Sequence, residues 1–172
     1  MNSAVQESTK IVLGTIILSI VYGISHDLIT ANVDVRYFTE FHPHIIDSQS
    51  PIAMALLWGV IATWWMGAII GAILSLATQA GQHPRVPAKQ VLWQLTLGSV
   101  GVFVVAMFTL VMGLTFIQRP IEIPGKTLGP TLGAILLTHN VSYFLSAIVA
   151  ASIGLSLYLK RPRLDSNLAP EY

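Results

Sequence analysis

The chain has 172 residues, a formal net charge of +1, 53% hydrophobic residues and 10% charged ones, against about a quarter charged in ordinary soluble domains. The near-zero net charge says nothing about nucleic acid, but no basic run long enough to bind it is present, and no nucleic-acid partner is expected. The absence of cysteine excludes disulfides, thiolate metal sites and cysteine nucleophiles.

Three windows, Ser48–Pro84, Gln90–Gln118 and Thr127–Leu159, contain no Asp, Glu, Lys or Arg. Each is longer than the ~20 residues that cross a hydrocarbon core of ~30 Å, so the sequence describes an integral membrane protein. In chain order, residues 1–10 form a polar lead-in and a first span is predicted over about 11–28, ending in His26-Asp27. Its weakly charged start and the lack of a small-residue cleavage site favour an uncleaved helix over a signal peptide. The connection 29–50 reads two ways. Ile29, Ala31, Val33, Val35 and Tyr37 alternate as in a strand, while Ile29, Val33, Tyr37 and Phe41 share a helical face. In the second case a helix lies along the membrane surface with Tyr37, Phe38 and Phe41 in the headgroup layer.

A second span is predicted over 51–79. Ala55, Gly59, Thr63, Gly67, Gly71 and Ser75 recur in it at every fourth residue, a face of small side chains that admits another helix backbone. Its first use is packing inside the bundle and its second a homodimer seam. A third span follows over about 90–117, with Trp93 near its start, and a fourth over about 131–159. Lys160, Arg161 and Arg163 close the fourth, leaving 164–172 as a disordered tail. All nine prolines lie at span edges or outside the spans, which predicts four unbroken helices. The expected architecture is all-α: a polytopic bundle of four transmembrane helices in a single membrane domain. Placing both termini and the 80–89 turn together collects Lys10, Arg85, Lys89, Lys160, Arg161 and Arg163, with Arg36, Arg119 and Lys126 opposite. The positive-inside rule then puts both termini in the cytoplasm.

Up-and-down threading brings distant polar residues to one level. His139 falls about eight residues into the fourth span, on the order of 10–13 Å below its outer end. His26, Asp27, Trp58, His139, Asn140 and Tyr143 are therefore expected to converge in the outer half as a ligand-binding pocket. An ionisable residue inside a span is a functional-site hypothesis by default; the plainer use of His139 is a packing hydrogen bond to Tyr143, Asn140 or a neighbouring helix. Adjacent residues on a helix do not face each other, so Asp27 is expected to contact something other than His26. Around Pro43, the residues Glu40, His42, His44 and Asp47 offer nitrogen and oxygen ligands for a divalent ion such as zinc, or form a solvated loop. A bis-histidine haem between His26 and His139 is a further arrangement that a four-helix bundle can host. No phosphate-cradling glycine loop and no HExxH is present, so no reaction is spelled out. The residues leave ligand and cofactor open. The expected role is that of a structural, accessory or small-ligand-binding membrane protein, its rival a histidine-based metal- or haem-binding enzyme or redox protein. Expected partners are the lipid bilayer and a homo-oligomer or larger membrane complex.

The stretch Tyr22-Gly23-Ile24-Ser25-His26-Asp27-Leu28-Ile29-Thr30, followed by Tyr37-Phe38-Thr39 and His42-Pro43, resembles a group of small, uncharacterised bacterial membrane proteins with four predicted helices. The run Trp58–Trp65 is similar to the second helix of that group, and the likeness covers roughly Tyr22–Gly71 and, more loosely, His139–Tyr143. The resemblance implies a multi-pass protein of the bacterial inner membrane and brings no activity with it. Leu28 stands where the group has Gln, and Arg36 where it has Glu, which removes two polar groups from any shared ligand set.

Overall fold

Within lipid every backbone polar group must find its partner inside its own segment, so long charge-free runs fold as helices. The computed structural model describes residues 3–161 and holds among them four helices long and apolar enough to cross a membrane: Ser3–Val33, Pro51–Gln79, Ala88–Phe116 and Pro130–Leu159. Arg163 and the tail 164–172 lie outside the described residues. In chain order the elements are α1 (Ser3–Val33), α2 (Arg36–Phe41), α3 (Pro51–Ile61), α4 (Trp64–Gln79), α5 (Ala88–Phe116), β1 (Ile121–Ile123), β2 (Lys126–Leu128) and α6 (Pro130–Leu159). At 1.5 Å per residue each spanning unit is about 45 Å long, which exceeds the hydrocarbon core and carries the helix ends into the headgroup layers. Val100, Val104, Phe108 and Val111 of α5 and Phe144, Ile148 and Leu155 of α6 are exposed on the outside of the bundle, as a lipid-facing surface requires.

The small-residue stripe faces α1. A Cβ on Gly59 would lie 2.6 Å from the Ile24 backbone, one on Gly67 2.8 Å from Ile16 Cα, and one on Gly71 2.8 Å from Val12 Cα. Ala55 and Ser75 are buried at the two ends of the same face. Gly23 answers from α1, where a Cβ would meet the Gly59 carbonyl and Thr63. The stripe is thus consumed by contact within the chain, and an oligomer would have to use another face. α5 and α6 complete the bundle, α6 lying against α5 and α4.

Several expectations change in detail. The first helix starts at Ser3 and ends at Val33, beyond 11–28 at both ends. The polar lead-in joins it because Lys10 pairs with Glu7 at 2.7 Å, and the second Glu7 oxygen accepts the Ala88 N–H at 2.7 Å. That bond satisfies a free donor in the first turn of α5. The second span is not one unbroken helix: α3 ends at Ile61 and α4 begins at Trp64. No proline lies at the break; the Thr63 hydroxyl donates back to the Gly59 carbonyl there, as Thr15, Thr96 and Thr138 donate back within helices that stay continuous. In the connection 29–50 the helical alternative holds, with residues 29–33 continuing α1 and 36–41 forming α2.

The chain is also not wholly helical. Ile121–Ile123 pairs antiparallel with Lys126–Leu128 across Pro124-Gly125, where Gly125 has φ +79°. Proline then glycine at the two central positions is the type II turn pattern. Arg161, counted above among the interfacial cations, is buried. Its guanidinium donates to the carbonyls of Ala77 (2.7 Å), Ala80 (2.7 Å), His83 (3.0 Å) and Pro84 (2.9 Å), tying the end of α6 to the negative C-terminal end of α4.

Two substitutions check this packing by thermal unfolding in detergent. Gly59→Ala forces the Ile24 backbone away and should cost about 1–3 kcal/mol. Gly101→Ala, where an added Cβ meets nothing within 4 Å, should be neutral or stabilising by up to about 1 kcal/mol. Equal effects would refute the close α1–α3 contact.

Candidate functional site

Polar positions on α1 and α6 share the helical spacing of neighbours on one face: Thr15, Ser19, Tyr22 and His26 on the first helix, and His139, Ser142, Tyr143 and Ser146 on the last. The α1–α3 contact turns the α1 face toward the middle of the bundle. His26 lies seven residues from the α2 end of α1 and His139 nine residues from the same end of α6, roughly 10 and 14 Å down at the helical rise. The two imidazoles meet edge to face with centroids 4.5 Å apart.

Asp27 completes the group. His26 Nδ1 lies 3.1 Å from Asp27 Oδ1, and His139 Nε2 lies 3.4 Å from the same oxygen. His26 and His139 are each 3% exposed and Asp27 6%, so the triad is shielded from bulk solvent. His139 Nδ1 donates to the Ile135 carbonyl at 2.9 Å, while the Nε2 atoms of both histidines are buried without a hydrogen-bond partner. The hydroxyls of Tyr22 and Ser142 bond across the bundle at 2.5 Å. The expectation that Asp27 would avoid His26 fails. Both side chains stand at the inner edge of α1 and bend toward each other in front of His139, which the average helical angle between neighbours does not forbid.

The other expected members divide. Tyr143 lines the same cavity and its ring centroid is 6.3 Å from that of His139. Trp58 is buried one layer further toward α2, with its ring 4.4 Å from that of His42. Asn140 is exposed, because turning His139 inward rotates its neighbour out. The four residues around Pro43 are not brought close enough together to share an ion. Glu40 pairs with Lys126 at 3.1 Å, His42 packs on Trp58, and His44 and Asp47 are exposed. Among the described residues, the one group of His, Asp and Glu close enough to share an ion is His26, Asp27 and His139. A haem between the two histidines is also excluded in this arrangement, since rings in edge-to-face contact leave no gap for a macrocycle.

Beneath the triad is a cavity of about 100 Å³ between α1, α4, α5 and α6, lined among others by Thr15, Ser19, Tyr22, Thr63, Ser99, Ser142 and Ser146 together with Leu18, Met66, Ile70 and Val102. Several waters or a small ligand fit such a volume. Toward α2 it is closed by a buried cluster containing Tyr37, Phe38, Met54, Trp58, Leu128, Leu132 and Ile135. Toward the termini it is closed by Ile11, Leu74, Val91, Leu95, Ala150 and Leu157. Tyr37, assigned above to the headgroup layer, is buried and stacks on His139 with centroids 4.2 Å apart. Burial first, then the neighbouring Tyr143 and Asp27, pushes its phenol well above the usual range. The hydroxyls at Thr15, Ser19, Ser99 and Ser146 were missed as site residues. On α1 and α6 their signal is the 4-3-4 and 3-4 spacing within otherwise apolar runs.

Comparison of the chain with protein-family models, with curated proteins and with solved structures finds no match.

The cover over the site carries its own pH dependence. Burial lowers the His42 imidazole below its ordinary 6.5, against the raising effect of its bond to the Tyr37 carbonyl. A histidine depressed in the folded state leaves docking intact above about pH 6.5 and weakens it as pH falls through the folded value. Hydrogen exchange of the α2 amides, corrected for intrinsic rate, should therefore speed up on acidification. His42→Phe should remove that dependence; an unchanged pH profile in the variant would assign it to another group.

Proposed function

We propose that this chain is a multi-pass protein of the bacterial inner membrane, with both termini in the cytoplasm, that binds a small polar ligand in a pocket covered from the periplasm by α2. The observation that supports it is the cavity of about 100 Å³ headed by a buried His–Asp–His group and walled off at both ends by apolar clusters. Lys10, Arg85, Lys89, Lys160 and Arg161 at the terminal end, against Arg36, Arg119 and Lys126 at the other, support the orientation. A structural or accessory role in a larger assembly would use the lipid-facing surfaces of α5 and α6, since the small-residue face is occupied.

Orientation is directly testable because the chain has no cysteine of its own. In intact cells an impermeant maleimide should label His44→Cys, and should reach Gln82→Cys only after permeabilisation. The reverse pattern would place the termini outside. For the pocket, native mass spectrometry of protein taken from its own membrane should detect a bound mass, ionic or molecular, that Ser146→Phe reduces or removes at unchanged thermal stability. A bare wild type, or a mass indifferent to filling the cavity, would remove the pocket.

A further inference from the structure

We propose that His26, Asp27 and His139 bind one divalent first-row transition-metal ion of the zinc class. The inference rests on the pocket reading above and names what its polar end holds.

Hydrogen accounting carries the argument. The partner of His139 Nδ1 is the Ile135 carbonyl oxygen at 2.9 Å, an acceptor only, so the hydrogen of a neutral His139 ring sits on Nδ1. The partner of His26 Nδ1 is a carboxylate oxygen at 3.1 Å, which places the His26 hydrogen on Nδ1 as well. Both Nε2 atoms then carry lone pairs, and both are buried without a partner. His139 Nε2 faces Asp27 Oδ1 at 3.4 Å, acceptor against acceptor. Among the described residues no lysine or arginine forms an ion pair with Asp27. A buried cluster of three acceptors around one negative charge takes up a proton or a cation. A proton on His139 would answer the Asp27 contact and leave His26 Nε2 bare. An ion between Asp27 Oδ1, His139 Nε2 and His26 Nδ1, the His26 nitrogen nearest the carboxylate, answers the charge and two ring lone pairs at once, with the His26 hydrogen then on Nε2.

The chemistry of the set selects the ion. Each residue offers a ligand atom within 4.8 Å of the others, against about 3–4 Å across a tetrahedral ion with bonds near 2.1 Å, so side-chain rotations of about 1 Å close the site. Two imidazoles and one carboxylate without a thiolate suit zinc or a neighbouring first-row divalent ion, and are poor for calcium, magnesium or copper(I). The Ile135 carbonyl that holds the His139 tautomer is the outer partner that ligating histidines use. Three protein ligands leave a position open, and the hydroxyl-lined cavity lies next to it.

The test uses the full chain with a histidine-free affinity tag, stripped with a chelator and titrated with Co²⁺ as a visible probe and Zn²⁺ as competitor. One Co²⁺ per chain with absorption typical of low coordination number, displaced by Zn²⁺, is expected. His26→Ala, His139→Ala and Asp27→Ala should each weaken binding by about 100-fold or more, while His44→Ala and Asp47→Asn in the exposed loop should not. Where a variant fails to fold, the wild type decides: Zn²⁺ should protect His26 and His139 from diethyl pyrocarbonate, read by mass spectrometry, and leave His44 reactive. Absence of stoichiometric binding, binding that survives loss of both histidines, or protection at His44 alone would overturn the site. A molecular adduct in the native spectrum without Co²⁺ uptake would sink the metal and keep the pocket; loss of both would sink the two together.

Discussion

The approach of α1 to the small-residue face of α3 and α4 is the contact on which the rest depends. With Gly59, Gly67 and Gly71 presenting no side chain, the α1 backbone at Val12, Ile16 and Ile24 sits directly against the second span. In lipid this gain is van der Waals contact, which falls off steeply with distance and therefore fixes rotation as well as separation. The rotation is what matters for function. Once Val12, Ile16 and Ile24 face α3–α4, the Thr15–Ser19–Tyr22–His26 face of α1 points to the bundle centre and meets α6. A bulkier stripe would move α1 outward and turn it, and the Tyr22–Ser142 bond and the His26–His139 contact would separate.

Most of this architecture can be read from the residues. Three charge-free windows and an apolar first run predict four spans, and among the described residues four helices are long and apolar enough to cross a membrane. The interval-of-four stripe predicts a close helix partner, though nothing in it says that the partner is α1. What the linear pattern hides is local. The second span is interrupted at Ala62-Thr63, and a threonine in an apolar run looks the same whether its helix continues, as at Thr96 and Thr138, or not. Pro124-Gly125 between Ile-Glu-Ile and Lys-Thr-Leu is a legible hairpin signal that an all-α expectation overrides.

The site was half legible for a similar reason. Depth along a helix follows from counting residues, which sets His26 and His139 at one level, and their rings are in contact. Rotation does not follow from counting, and it decides that Asn140 faces outward while Tyr143 borders the cavity. Trp58 is as many residues from its helix end as His26 but belongs to the cover, because α2 folds over the bundle end and brings His42 beside it. The fold-back of α2 depends on Tyr37 and Phe38 burying against Met54, Leu128 and Leu132. That contact is long-range in sequence and leaves no periodic trace in the six residues of α2.

The cover also determines how anything reaches the triad. Glu40 and Lys126 join α2 to the hairpin across a partly exposed gap, with Lys126 lying 3.9 Å over the Phe41 ring, and an ion pair in that setting contributes about 0–1 kcal/mol. The aromatic contacts of Tyr37 and Phe38 bury far more surface and contribute correspondingly more. Closure is therefore mainly apolar, and salt should change it little. Below the cavity, Ile11, Leu74 and Leu157 are close to fully buried on three helices, two of which, α4 and α6, are tied together by the four carbonyl bonds of Arg161. Among the described residues that end has no element comparable to α2 that can lift without breaking the bundle. Of the two ends, the α2 side is the one from which a polar ligand or ion can enter, and the depth of the triad keeps it dry once the cover is down.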